Sequence, residues 1–190
     1  MEPVQLTSLT AYKRTSALDS TMFYMGNLMS FLVRGEDTGG RFALMEIQAK
    51  PGNEPPPHLH EWEHETFYVL EDAIEVYCED KVLMVHPGEV VFIPQGKPHA
   101  FYIRSPHLRM LILVQAVGDR AVGLDRYFIQ MAEPTTSMNL PTEAVTYLMD
   151  DPSQAISLGE ANDVRFLSLE EIAKELPHYP GFGANLEKIE

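Results

Sequence analysis

From Met22 to about Val117 the chain is a series of short runs rich in Val, Ile, Phe, Tyr and Leu, broken at intervals of roughly ten residues by Gly, Pro and Asp pairs. Runs of this length suit strands joined by tight turns. A doubly wound parallel sheet needs a crossover helix after each strand, and no helical stretch separates these runs, so that architecture is excluded. Strands are expected over residues 25–33, 42–49, 66–70, 73–78, 82–86, 90–93, 99–103 and 108–116. The breaks carry turn chemistry: Gly39-Gly40, Pro51-Gly52, Glu71-Asp72, Glu79-Asp80, Pro87-Gly88, Pro94-Gln95-Gly96 and Ser105-Pro106. An antiparallel sandwich or barrel follows.

After about Gly118 the texture turns helical. Ser168-Leu169-Glu170-Glu171 is a capping box, and Leu169, Ile172, Ala173 and Leu176 recur at helical spacing until Pro177 stops the helix. Asp151-Pro152-Ser153-Gln154 reads as a second helix start with Pro in the first position, and residues 141–149 as a third helix. The expected organisation is a β-barrel with its N-terminal strands over residues 1–118, and a helical extension over residues 119–190 packed on it as one unit.

The charge balance narrows the partners. Twenty-eight acidic against fourteen basic residues give a formal net charge of −14, a surface that repels phosphate backbones and anionic membranes. Nucleic acid and membrane partners are therefore not expected. The N-terminus shows no basic region followed by an apolar run, and the longest aliphatic stretch, Met110 to Val114, is too short to span a bilayer. One cysteine, Cys78, excludes an internal disulfide, and the chain reads as soluble and cytoplasmic. The run over residues 25–33, read as an exposed strand, makes a homodimer the expected assembly.

The chemistry sits in Gly52 to Glu65. His58 and His60 are two apart, so on a strand both imidazoles face one side, about 6.6 Å apart along the backbone. Two imidazoles at that spacing are half a chelate. Glu65 follows, opening the apolar run Phe67-Tyr68-Val69-Leu70, and His99 begins another strand after a Gly- and Pro-rich reversal. Residue 99 reaches residue 60 only through a closed or tightly wrapped sheet. His64 stands on the opposite parity, in a Glu-Trp-Glu-His bend, and reads as a solvated turn residue.

With these residues in hand the chain resembles a cupin. The first cupin block, Gly, five residues, His-x-His, three or four residues, Glu, six residues, Gly, is matched by Gly52, His58, His60 and Glu65, with Asp72 in place of the last Gly. The second, Gly, five residues, Pro-x-Gly, two residues, His, three residues, Asn, is matched by Gly88, Pro94, Gly96 and His99, with Ile103 in place of Asn. Asp tolerates a left-handed backbone at a cost on the order of 1 kcal/mol, so the change at residue 72 leaves the fold intact. Ile103 shares parity with His99 and Phe101 and adds apolar wall.

The resemblance implies an all-β fold, the double-stranded β-helix or jelly-roll barrel, with a short C-terminal helical extension. It implies that His58, His60, Glu65 and His99 bind one divalent transition metal, and three imidazoles with one carboxylate suit Fe, Mn, Ni, Co, Cu or Zn. Phe67, Val69, Phe101 and Ile103 are expected to point inward with the ligands, giving an apolar pocket for an aromatic, oxygen-bearing molecule. Within the family the chain is similar to the single-domain quercetin dioxygenases. That similarity implies a dioxygenase taking a flavonol-like substrate and dioxygen, releasing carbon monoxide, with Glu65 as both ligand and proton acceptor. A metal-dependent isomerase or decarboxylase, and a non-catalytic binder of a small molecule or metal, are the alternatives.

Overall fold

The computed structural model describes residues 9–142 and 152–181. Two antiparallel sheets face one another. The larger orders its strands β11-β1-β2-β3-β10-β5-β8 and the smaller β12-β4-β9-β6-β7. The strands are β1 (Thr21–Tyr24), β2 (Asn27–Val33), β3 (Phe42–Ala49), β4 (His58–His60), β5 (Glu63–Glu71), β6 (Ile74–Cys78), β7 (Lys81–Val85), β8 (Val90–Ile93), β9 (His99–Ile103), β10 (Leu108–Ala116), β11 (Glu133–Pro134) and β12 (Val164–Phe166). Among the described residues three helices follow the barrel strands: α1 (Leu124–Met131), α2 (Ser153–Ala161) and α3 (Leu169–Glu175). This is the antiparallel barrel of the sequence pattern, in the jelly-roll form that the resemblance implies.

Side-chain alternation explains how these strands close a core. Along β10, Leu108, Met110, Ile112 and Val114 are buried while Arg109, Leu111 and Leu113 between them are half-buried, and β5 repeats the pattern with Glu63, Glu65, Phe67 and Val69 inward. Register locks the two rows together, with Phe67 opposite Ile112 and Glu65 opposite Val114. Between the sheets lies one core built on Met29, Phe31, Met45, Phe67, Ile74, Phe101, Ile103 and Met110. Both faces of β9 are buried, because Tyr102 on its outer side is covered by Tyr77 and Tyr179, with ring centroids 5.7 and 5.3 Å away.

Several boundaries differ from the sequence expectation. Residues 25–33 are not one strand: Met25 and Gly26 both have positive φ, 48° and 81°, and make the two-residue turn joining β1 to β2. Methionine is an uncommon residue there, but its side chain packs against the core and holds the turn. Nor is β2 exposed, since β1 and β3 flank it; the open apolar strands are β7, with Val82 and Met84, and β8, with Val90 and Phe92. Asp72 does take the left-handed backbone of the glycine it replaces, at φ 67°, and Gly88 has φ 85°.

The segment after residue 118 is less purely helical than its periodicity implies. β11 pairs with β1 and β12 with β4, so it extends both sheets. α2 begins at Ser153, with Pro152 in the capping position rather than inside the helix. α3 has the expected capping box, Ser168 Oγ accepting from the Glu171 N–H at 3.3 Å and the Glu171 carboxylate from the Ser168 N–H at 2.8 Å. The helix expected over residues 141–149 lies outside the described residues, apart from its first two positions, which are not helical.

Candidate metal centre

His58 and His60 share the inner face of β4, and His58 lies directly opposite His99 of β9 in the register. Glu65 enters from β5 in the other sheet. The four side chains are buried, with 6% or less of any of them exposed, and one ligand atom from each falls within 4.8 Å of all the others. Residues far apart in sequence meet here because the barrel closes.

The ring nitrogens are sorted by their surroundings. His58 Nδ1 lies 2.9 Å from the Pro56 carbonyl and His99 Nδ1 2.9 Å from the Lys97 carbonyl, so these nitrogens carry the proton and each Nε2 is left as an acceptor. On the inner side, Glu65 Oε2 is 2.9 Å from His99 Nε2 and 3.4 Å from His60 Nε2. None of these three buried atoms has an aligned hydrogen bond. Two imidazole nitrogens and a carboxylate oxygen therefore converge on one point in the buried interior, an arrangement that a cation satisfies. The donor set fits a divalent transition metal: three imidazoles and one carboxylate leave two positions of an octahedral ion for other ligands.

Proton equilibria point the same way. Burial lowers the affinity of His58 for a proton, and the neighbouring His99 and His60 rings lower it further, so His58 is held well below the usual imidazole range. Burial also works against protonation of His60, but the Glu65 and Glu63 carboxylates beside it win and raise it. Burial would raise Glu65, and the positive charge of His60 more than reverses this, keeping it ionised. In the metal-free protein, then, His60 carries a proton that an incoming metal must displace. The His60 proton contributes to stability below the ordinary imidazole value of 6.5 and this is lost as pH rises through the raised value; the Glu65 contribution, present above 4.5, is lost as pH falls through its depressed value. Metal affinity should accordingly rise across neutral pH by about tenfold per unit for the one displaced proton. Competition titrations at pH 6.5 and 8.5 check this, and a flat affinity would contradict it.

Next to the ligands is a cavity of about 30 Å³. His58 and Glu65 reach it, and its otherwise largely apolar wall carries six aromatic rings: Tyr24, Phe67, Phe101, Tyr127, Phe128 and Phe166. Phe67 and Phe101 meet edge to face, centroids 5.6 Å apart. Val69 and Ile103, expected beside them, are fully buried deeper in the core and do not line the cavity. Two polar features interrupt the wall. Asn27 donates to the Asn53 carbonyl at 3.0 Å while its buried amide oxygen has no hydrogen bond, and the Tyr24 and Tyr127 hydroxyls share one at 3.1 Å. The sequence reading missed Tyr24, Asn27, Tyr127, Phe128 and Phe166, because β1, β2, α1 and β12, all outside the metal motif, supply them.

Two residues of the bend after His60 also differ from expectation. Glu63 and His64 belong to β5, not to a turn. His64 faces away from the ligands, and its Nδ1 accepts from the Gln95 N–H at 3.0 Å. Glu63 is 1% exposed and points inward with Glu65.

Residues 45–114 match the Cupin domain family. That segment is a cupin domain. Over 133 residues it is 25% identical to quercetin 2,3-dioxygenase of Bacillus subtilis (strain 168), covering 70% of this chain and 37% of that protein. Over 89 residues it is 27% identical to the alginate biosynthesis protein AlgA of Pseudomonas putida, covering 47% of this chain and 18% of that one. The chain thus spans little more than a third of the first relative and under a fifth of the second. Among solved structures, a predicted oxalate decarboxylase of Thermotoga maritima superposes with a TM-score of 0.51 at 20% identity, over 56% of this chain and all of that one. That likeness reports the cupin fold and not an activity.

Proposed function

We propose that this cupin is a metal-dependent dioxygenase acting on an aromatic, flavonol-like substrate. The observation that carries the reading is the junction of the two sites: His58 and Glu65 belong at once to the three-histidine, one-carboxylate cluster and to a cavity walled by aromatic rings. Likeness to a quercetin 2,3-dioxygenase over most of the chain supports it. His58, His60, Glu65 and His99 hold one divalent transition metal, which supplies a site where an oxygen-bearing substrate and dioxygen meet. Phe67 and Phe101 flank the rings, and Asn27 offers its amide oxygen to a substrate hydroxyl. Ionised beside the substrate, Glu65 accepts the proton of its enolic hydroxyl. Val69 and Ile103 back the wall from the core.

A cavity of about 30 Å³ holds roughly two waters, whereas sites for drug-sized ligands run to about 300 Å³ or more. Substrate entry therefore requires displacement of a wall. The same closure favours a second reading, a cupin that binds metal or a smaller molecule without turnover, and oxygen consumption separates the two. Metal-loaded protein given quercetin in air should bleach the flavonol absorbance and consume oxygen, and Glu65→Gln should lower that rate by ~10²-fold or more. Metal uptake without bleaching with any of Fe, Mn, Co, Ni or Cu would exclude the quercetinase reading and leave the metal centre standing. A homodimer and a cytoplasmic location complete the proposal, supported by the exposed apolar strands β7 and β8 and by the single free cysteine.

A further inference from the structure

We propose that Glu63 is a positioning residue of the metal centre, fixing which nitrogen of His60 is free to ligate and tying that choice to the docking of α1. The proposal rests on the four-residue cluster described above. His58 and His99 each face a backbone carbonyl with Nδ1, but no carbonyl serves His60. Its Nδ1 instead lies 3.2 Å from Glu63 Oε2, and both atoms are buried with no aligned hydrogen bond to any group. An orphaned ring nitrogen and an orphaned carboxylate oxygen at that distance are each other's partners. With Nδ1–H turned to Glu63, the Nε2 lone pair of His60 faces Glu65 and the ligand cluster.

The other oxygen of the carboxylate is engaged elsewhere. Glu63 Oε1 accepts from the Gly123 N–H, and from the Leu124 N–H at 3.3 Å, the first donors of α1. An anion here complements the helix dipole and satisfies N–H groups that have no intrahelical acceptor. α1 carries Leu124, Tyr127 and Phe128 into the cavity wall. One side chain thus joins a metal ligand to the helix forming that wall.

Only a carboxylate serves both sides. Glutamine has one acceptor oxygen: if it keeps the α1 donors, its NH₂ faces His60 Nδ1 and selects the tautomer with hydrogen on Nε2, where the metal must bind. If it flips, the NH₂ meets the Gly123 and Leu124 donors. Either arrangement withdraws support from one partner.

The test uses cobalt(II) alone as the probe, with affinity from competition titration and the visible spectrum of the bound ion. Glu63→Gln should weaken binding by about 10- to 100-fold and shift the spectrum. Asp125→Ala is the control: it removes the acceptor for the buried Gly35 N–H, 2.8 Å away, and leaves in place the Glu63 bonds to Gly123 and Leu124 and every ligand. It should lower the melting temperature and leave cobalt affinity within about twofold, because no ligand or ligand partner changes. Unchanged affinity in Glu63→Gln, or equal weakening in both variants, would overturn the proposal. Wild-type protein that takes up no cobalt would overturn the metal centre itself. A measurement needing no variant is nitrogen-detected NMR of the zinc-loaded protein, where His60 should show a slowly exchanging proton on Nδ1; protonation on Nε2 would refute the assignment.

Discussion

Replacement of either His58 or His99 by alanine is expected to abolish uptake of a divalent metal while leaving the barrel folded. These two imidazoles face each other across β4 and β9, ring centroids 4.4 Å apart, and each has its Nδ1 tied to a backbone carbonyl, so each is held ready before any ion arrives. Removing one takes away a directed lone pair and leaves a hole no neighbouring side chain fills with a donor. Loss of an outer partner of a ligand costs roughly 10- to 100-fold in affinity, and loss of the ligand itself should exceed about 100-fold. Elemental analysis of purified protein and competition titration read the effect, with circular dichroism as the check on folding. Either variant retaining metal at the wild-type stoichiometry would show that the cluster is not the site.

The largest expected effect on stability comes from Gly123→Ala. A Cβ built on Gly123 would overlap the Asn162 carbonyl oxygen and lie 2.9 Å from its carbon and 3.2 Å from the Asn162 Cα, all backbone atoms. Asn162 cannot step aside: it ends α2, and its side chain donates to the Leu158 carbonyl and to Gln130 at 2.8 and 3.0 Å. The start of α1 must therefore move off α2, and with it the N–H that Glu63 accepts. Overpacking against fixed atoms costs about 3 kcal/mol. In a chain of this size that lowers the melting temperature by ~6–12 °C. A melting curve within a degree or two of wild type would mean that α1 and α2 do not meet in this way.

Much of the fold was legible because the signals are local. Gly and Pro at the breaks and β-branched or aromatic residues between them set strands β3, β8, β9 and β10 at the boundaries expected from sequence alone. Where a turn lacks its usual residues the reading slipped. Met25-Gly26 is a turn stabilised by packing of an apolar side chain, a tertiary effect that propensity does not carry. β12 was read past because three residues, Val164–Phe166, make a strand only by adding to the edge at β4.

For the site, spacing was informative as far as one strand or one motif extends. His58 and His60 share a face because side chains on a strand alternate, and that follows from sequence. So does the need of Asp72 for a backbone that glycine tolerates best, since the motif places a turn there. Only the closed barrel could decide the rest, because distance in space between residues 27, 63, 99 and 127 is not a function of their separation in sequence. Closure put Asn27 and Tyr127 on the wall of the cavity, sank Val69 and Ile103 behind it, and turned Glu63 from a residue of an apparent bend into the partner of His60. The chain alone determined which atoms can bind a metal; the packing of two sheets and one helix decided how those atoms are held, and how little room is left beside them.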